Sequence, residues 1–476
     1  MTGSRFNSIK LIIGYDGYME LSEHKPVHRI GIIGAGFSGT AVSAALHRIN
    51  RHPLEVVLFE KRGCFGAGDA YSTPFPFHLL NVRAQDMSVF EDEKEHFVNW
   101  LNTHSAATPF LDRTLACHEQ FVPRFLYGSY LKDLLMQIQA DSAVTRLTLS
   151  PHEIVDIAYS GSQAVLISKN NERIPVDKVV LALGNNLPAA FPFSVSEEVN
   201  CIHNPWEYTA PRRIEKKDPV LIVGTGLSMI DAVLTLYHQD HQGPIYAVSR
   251  HGLLPLSHSD VKVPYLLMQD HLPHQLRMLS MHLRSRSKNH INEGGDWRSI
   301  INALRGYIPA LWERSSLADK SRFLRHLLPY WNIHRHRVHK KVADLLMQLR
   351  NRGQLKILAG RILEIEKRIA KIKLRHKNNI LPLEVKWVIN CMGPSLSSMQ
   401  QPLVQSLLSR GMALMDPLDL GFAVSSVGAL KETSGHFSSS LYTLGPPARG
   451  AAWECSAVPE IRKQSFHLAK HLLNMD

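Results

Sequence analysis

The chain of 476 residues has no apolar run of the ~18–20 residues needed to cross a bilayer, so a membrane span is not expected. The apolar patch Leu11 to Gly14 is too short for a signal-peptide core. Cysteine is scarce. Cys64, Cys117, Cys201, Cys391 and Cys455 are scattered, odd in number and without a C-x-x-C. That excludes a disulfide scaffold, a zinc knuckle and a dithiol redox centre, and the simplest compartment is a reducing cytoplasm. No local signature of a Ser-His-Asp triad or a catalytic cysteine is present. Acids are outnumbered by bases, giving a formal charge of +12 and a pI of about 9.4. Two readings of that charge stay open: a basic surface with pockets for anionic cofactors, or a polyanion or membrane-surface partner.

What remains is an ordinary globular composition, 44% hydrophobic and 20% charged, long enough for two or three domains. Residues 1–27 are expected to be a tail, with Met19 as an alternative start and the fold beginning near His28.

The organising feature is a repeat. "IGIIGAGFSGTAV" (Ile30 to Val42) and "LIVGTGLSMID" (Leu221 to Asp231) each read as a buried strand, a glycine turn and a helix. Each continues into a second strand, "LEVVLFEK" and "IYAVSR". Each is followed by short alternating strands and a closing strand that runs into a glycine, Gly184 in "DKVVLALGNN" and Gly393 in "VKWVINCMGPS". The order of parts predicts an α/β fold with two Rossmann-like dinucleotide-binding domains, each a three-layer unit of parallel sheet plus β-meander, with a helical insert in the second. The expected spans are 28–210 for the first domain, 218–393 for the second with its insert at 261–352, and 394–476 as a return to the first.

The two loops differ in ways that separate their ligands. In the first, Gly34 permits the tight turn, Gly36 lets the backbone approach a pyrophosphate, and Gly39 lets helix and strand pack closely; Ser38 lies inside the same loop. The helix N-terminus offers free N–H groups to phosphates. Glu60 ends the second strand, 21 residues past Gly39, with Lys61 beside it. A carboxylate there accepts ribose hydroxyls and repels a 2′-phosphate, which fits FAD or NAD. In the second loop Gly224, Gly226 and Ser228 keep the phosphate approach, but Met229 stands where the third glycine would be, so the helix is expected to sit slightly farther out. The second strand ends in Ser249, Arg250 and His251, and an arginine with a neighbouring hydroxyl suits the 2′-phosphate of NADP. The alternative, Arg250 as a surface residue with NAD bound, stays open. FAD with NADPH is the economical pair, since a hydride donor then meets an acceptor.

These residues resemble the flavoproteins with two dinucleotide-binding domains, in particular the flavin-containing monooxygenase and N-hydroxylase superfamily. "FEKRGCFGAGDAY" looks like the acidic strand end followed by a glycine pair near the flavin, and "LLNVRAQDMSVF" resembles the segment whose asparagine, here Asn81, lies by flavin and nicotinamide. "GTGLSMID" is similar to the superfamily's NADP loop, with Ser228 and Asp231 in place. More closely, "AYSTPFPFHLLN", "FVPRFLYGSYL", "FLRHLLPYWNIHRHR" and "LYTLGPPARGAAWECSAVPEIRKQ" are similar to a bacterial FAD-NAD(P)-binding family that includes an FAD-dependent urate hydroxylase. The resemblance implies that a strand ending at Gly445, followed by a helix running from Trp453, closes the FAD site; Pro446 and Pro447 stand where many relatives have an aspartate. It also implies an FAD- and NADPH-dependent monooxygenase hydroxylating a small molecule through a flavin hydroperoxide. A flavin reductase that does not use oxygen and a non-catalytic nucleotide-binding redox sensor are the alternatives. Flavin chemistry asks the protein for position and electrostatics, so no catalytic side chain is named.

In the insert, Trp297, Ile301, Leu304, Ile308 and Leu311 fall near one helical face. The stretch Ser321 to Lys341 carries six Lys/Arg and four His and no acid. It reads as a solvated or cofactor-facing surface, as a substrate-pocket wall, or, least favoured, as a nucleic-acid contact. His334, His336 and His339 have no acid or cysteine nearby in sequence, so no metal is expected. Oligomeric state and substrate are not legible.

Overall fold

The computed structural model describes residues 28–475 except 162, 260–264, 267–271, 274, 376–378 and 396–400. The expected tail and the start of the insert therefore lie wholly or partly outside the described residues.

The first unit begins with β1 (Arg29–Ile33) and β2 (Leu54–Phe59) around the helix Phe37–Ile49, then β3 (Thr145–Ser150), an antiparallel meander of β4 (Ile154–Ser160), β5 (Gln163–Ser168) and β6 (Arg173–Val176), and β7 (Lys178–Leu181). In the second unit β8 (Asn200–Ile202) precedes β9 (Val220–Val223), the helix Leu227–His238 and β10 (Ile245–Ser249). After the helical insert come β11 (Leu355–Glu366), β12 (Ile369–Leu374), β13 (Ile380–Glu384) and β14 (Trp387–Asn390). β15 (Ala429–Lys431) and β16 (Phe437–Thr443) return to the first sheet, and the helix Val458–Leu472 follows.

The sheet orders are β15-β16-β7-β1-β2-β3 and β13-β12-β11-β10-β9-β14-β8. The parallel strands β1, β2, β3 and β7 find counterparts in β9, β10, β11 and β14. The first half of β11 pairs parallel with β10 and its second half antiparallel with β12, so one long strand does what β3 and β4 do separately. The edge strands enter differently. β16 comes from the C-terminus, whereas β8 comes from the connection between the halves and pairs with β14, although it lies inside the span 28–210 expected for the first domain.

Apolar residues cover both faces of each sheet, as central parallel strands require. Ile30 and Ile32 of β1 join the core under the helices, while Ile33 joins the core under the meander. In β9, Val220 and Ile222 face one core and Leu221 and Val223 the other. The helices Phe37–Ile49, Arg124–Ala140 and Val458–Leu472 share the first core. That places the C-terminal helix directly against the first glycine loop's helix. Contrary to expectation, it begins at Val458 and not at Trp453: Ala457 is extended and Pro459 sits in the first turn, where proline's missing N–H costs nothing.

Candidate functional site

Both glycine loops are pressed onto the closing strand of their own sheet. Gly34 has φ +104°, and a Cβ there would lie 2.3 Å from the Ala182 carbonyl oxygen. Gly224 has φ +113°, and its Cβ would lie 2.0 Å from the Cys391 carbonyl oxygen. Only glycine meets both demands. The helices then start at Phe37 and Leu227 from extended N-caps, Gly36 and Gly226, neither with a side-chain cap. The first-turn N–H groups are thus left for a ligand.

The third position separates the loops. A Cβ at Gly39 would lie 2.0 Å from the Gly34 carbonyl oxygen, so that helix packs against its turn with no room for a side chain. Met229, at the equivalent place, is fully buried among Val233, Ile222 and their neighbours. The first helical bond is correspondingly longer: Ile230 N–H to the Gly226 carbonyl at 3.3 Å, against 3.0 Å for Thr40 to Gly36.

Around the first loop, Glu60 is buried at the end of β2; its carboxylate accepts from Ala35 N–H at 3.3 Å and Arg62 N–H at 3.2 Å. Arg62 also binds Asp69. Gly68 lies against Gly36, where a Cβ would be 3.0 Å from its Cα. Ser38 is buried and faces Gly445, whose Cβ would lie 2.8 Å from its Oγ. Gly445 N–H donates to Gln464 at 3.0 Å, tying the return segment to its helix. Gly184, Pro446, Pro447 and Arg449 line one small recess. Lys61 points away and is exposed, 3.9 Å from Glu153.

Around the second loop, Gly226 is open, with nothing within 4 Å of a Cβ built there. Ser228 is half-buried in the helix's first turn, and Gly393 lies just past β14, two residues beyond the Cys391 carbonyl that Gly224 touches. Arg250 is exposed at the end of β10, the repeat equivalent of Glu60. The neighbouring hydroxyl is otherwise engaged: Ser249 accepts from Thr225 at 2.9 Å and from Gly252 N–H at 3.0 Å, bracing the loop. A second cation stands beside Arg250 instead. Arg375, just past β12, donates to His251 and reaches the Arg250 carbonyl at 3.5 Å. Nothing local in the sequence marks Arg375, because the sheet brings it from 125 residues away.

The halves meet at a polar clamp. Arg124 donates to both Asp231 oxygens at 2.7 and 2.8 Å and to the Leu79 carbonyl at 3.0 Å. His78 donates from Nε2 to the Asp231 carbonyl at 3.2 Å while its Nδ1 accepts from Thr73 at 2.7 Å. Three residues on from His78, the Asn81 carbonyl accepts from His258 Nε2 at 2.9 Å, so Asn81 lies where both halves face each other. Burial, reinforced by Arg337 and Arg83, pushes the His258 imidazole down to about 4 and keeps it neutral.

The basic stretch of the insert divides. Arg335 is buried against Glu454 at 3.0 Å, and Trp331 donates to the same carboxylate at 2.8 Å. Arg305 binds Glu460 at 2.6 and 2.8 Å. Arg337 is buried, whereas Lys340 and Lys341 remain at the surface. The three histidines go to different places: His334 packs on Trp297, His336 is half-buried beside Arg335 and Arg449, and His339 caps the helix Lys340–Asn351. The expected apolar face, Trp297 through Leu311, lines a groove of about 590 Å³ with Trp453 from the return segment.

This arrangement is the fold of flavoproteins with two dinucleotide-binding domains. Residues 31–186 match a family described as FAD-NAD(P)-binding. Among solved structures, an ornithine N-hydroxylase of Kutzneria sp. 744, described with reduced FAD, NADP+ and L-ornithine, is similar with a TM-score of 0.66 and 13% identity over 94% of this chain and 99% of that one. An ornithine hydroxylase of Pseudomonas aeruginosa gives 0.64 and 14% over 94% and 99%, and a bacillithiol disulfide reductase of Bacillus cereus 0.54 and 11% over the same shares. At these identities the likeness is one of fold. No curated protein matches the chain.

Proposed function

We propose that the chain is an FAD-dependent, NADPH-consuming monooxygenase acting on a small molecule. The observation that carries this reading is the pair of equivalent strand ends with opposite charge, buried Glu60 on one loop and Arg250 with Arg375 on the other, either side of a junction at Asn81.

The residues fit the two nucleotides. The uncapped helix N-termini after Gly36 and Gly226 would take the pyrophosphates. Glu60 would accept ribose hydroxyls of FAD and repel a 2′-phosphate; Arg250 and Arg375 would attract one. Asn81 would hold flavin and nicotinamide in register, while the Arg124–Asp231 clamp fixes the two halves around them. FAD bound here would supply hydride acceptance and oxygen activation, and the protein the positioning. Similar structures named for ornithine, L-lysine and cadaverine hydroxylation or oxygenation support the oxygenase reading over a thiol reductase. So does the burial of Cys391 and Cys455, whose thiols burial pushes far up, in the second case to about 12. The free cysteines fit a reducing cytoplasm.

The test is coupling: with FAD bound, oxygen uptake driven by NADPH is measured against hydroxylated product across a panel of purines, amines and amino acids. One product per oxygen supports the proposal. NADPH oxidation that is indifferent to oxygen would instead mark a reductase.

A further inference from the structure

Two arginines of the insert and one of the C-terminal helix are buried and keep an N–H group with no hydrogen-bond partner among the described residues. Arg337 is 6% exposed, Arg335 9% and Arg462 8%. Arg337 Nε, Arg335 Nη2 and Arg462 Nε are buried N–H groups without a hydrogen-bond partner among the described residues. Three acids nearby are committed, Asp296 to Arg298 at 3.1 Å, Glu460 to Arg305 at 2.6 Å and Glu454 to Arg335 at 3.0 Å, and a fourth, Asp86, stands near Arg305 and Arg462 with burial pushing its carboxyl up. Arg337 is left with a neutral acceptor, Asn302 Oδ1, at 2.5 Å. Burial and the charges of Arg298 and Arg335 push its guanidinium down to about 10. His336, surrounded by the same cations, falls to about 3 and adds no charge. A buried guanidinium without a counterion is costly, and folded proteins normally pair it or fill the site with an anion.

The location gives the missing anion a role. Arg337 lies near His258, whose Nε2–H donates to the Asn81 carbonyl at the junction of the two halves. Arg305 and Arg335 lie near both Arg337 and His336, with Arg449 of the return segment close to His336. On the proposed function the cofactor phosphates go elsewhere, to the helix N-termini and to Arg250.

We propose that this cluster is a substrate-anion site, in which Arg337, supported by Arg335, binds the carboxylate of the small molecule brought to the flavin. The role in turnover rests on the flavoprotein reading; the anion site itself does not. The class implied is a carboxylate-bearing substrate, and its planar group matches the guanidinium fork.

The experiment uses benzoate as the probe on the full chain, followed by thermal unfolding and tryptophan fluorescence, with inorganic phosphate in parallel. Benzoate is expected to raise the unfolding temperature of the native protein by linkage. In Arg337→Met its affinity falls by about tenfold or more, the loss of a charged hydrogen bond. Without anion, Arg337→Met is at least as stable as the native protein, because a buried charge is gone. Arg337→Lys, which keeps charge but loses Nε, weakens benzoate by a smaller factor and carries the comparison if the methionine variant does not fold. No effect of benzoate, or an equal effect in both proteins, overturns the proposal. So does stabilisation by phosphate alone together with a raised KM for NADPH in Arg337→Met, which would assign the anion to the cofactor. Because none of these readings needs flavin turnover, their failure is separate from failure of the monooxygenase assignment.

Discussion

The Arg124–Asp231 clamp is the contact most exposed to a quantitative test. Both side chains keep only 13% and 14% of their accessible surface, and both guanidinium–carboxylate bonds are short, at 2.7 and 2.8 Å. Asp231→Asn keeps the shape but leaves a nearly buried guanidinium without its counterion. Removing one partner of a buried pair costs about 3–5 kcal/mol. Arg124 retains the Leu79 carbonyl and some solvent, so the lower end, about 3 kcal/mol, is expected. Replacing both residues by apolar ones, Arg124→Met with Asp231→Leu, removes the orphan as well as the pair. The double variant is therefore less damaged than the sum of the singles, by about 1.5 kcal/mol or more. Urea unfolding of the four proteins, followed by tryptophan fluorescence, gives the cycle. Strict additivity would refute the claim that these two groups hold the halves together.

Further outcomes follow from other parts of the structure. Arg250→Ala and Arg375→Ala should each raise the KM for NADPH by about tenfold while leaving NADH within about twofold, as a lost phosphate contact predicts; steady-state kinetics with both nucleotides decides, and equal effects sink the assignment. Met229→Ala should destabilise by about 2–4 kcal/mol despite standing where the first loop has glycine, because the side chain fills a core; chemical denaturation measures it. Acid should weaken the fold early: His258 sits at about 4 in the folded chain against 6.5 unfolded, so the unfolded state binds the proton first and stability falls as pH drops from about 6.5 toward 4. His258→Gln should flatten that part of the pH–stability curve, and an unchanged slope would contradict the buried neutral imidazole.

The repeat was legible because its signals are local. Alternating apolar strands, turn glycines and helix starts sit within a dozen residues of one another, and Glu60 and Arg250 fall at fixed offsets from them. Met229 was legible as a packing departure for the same reason. Long-range pairings were not legible. Arg375 meets Arg250 through a sheet, Arg124 meets Asp231 across 107 residues, and Arg335 meets Glu454 across 119. A basic stretch without acids left surface, pocket wall and nucleic-acid contact open in sequence; in the fold Arg335 meets Glu454 of the C-terminal segment, and Arg335 and Arg337 go inside. Ser249 lies beside Arg250 in sequence, and the fold adds what the sequence did not show, that its hydroxyl braces Thr225 and Gly252.

On the proposed function two nucleotides bind one chain and exchange a hydride. The most direct measurement is anaerobic addition of NADPH to the FAD-loaded protein, followed at the flavin's visible band, and then admission of air. NADPH is expected to bleach the band, NADH to bleach it far more slowly at equal concentration, and oxygen to restore it. A protein that takes up no FAD, or holds FAD that NADPH leaves unchanged, would contradict the proposed function.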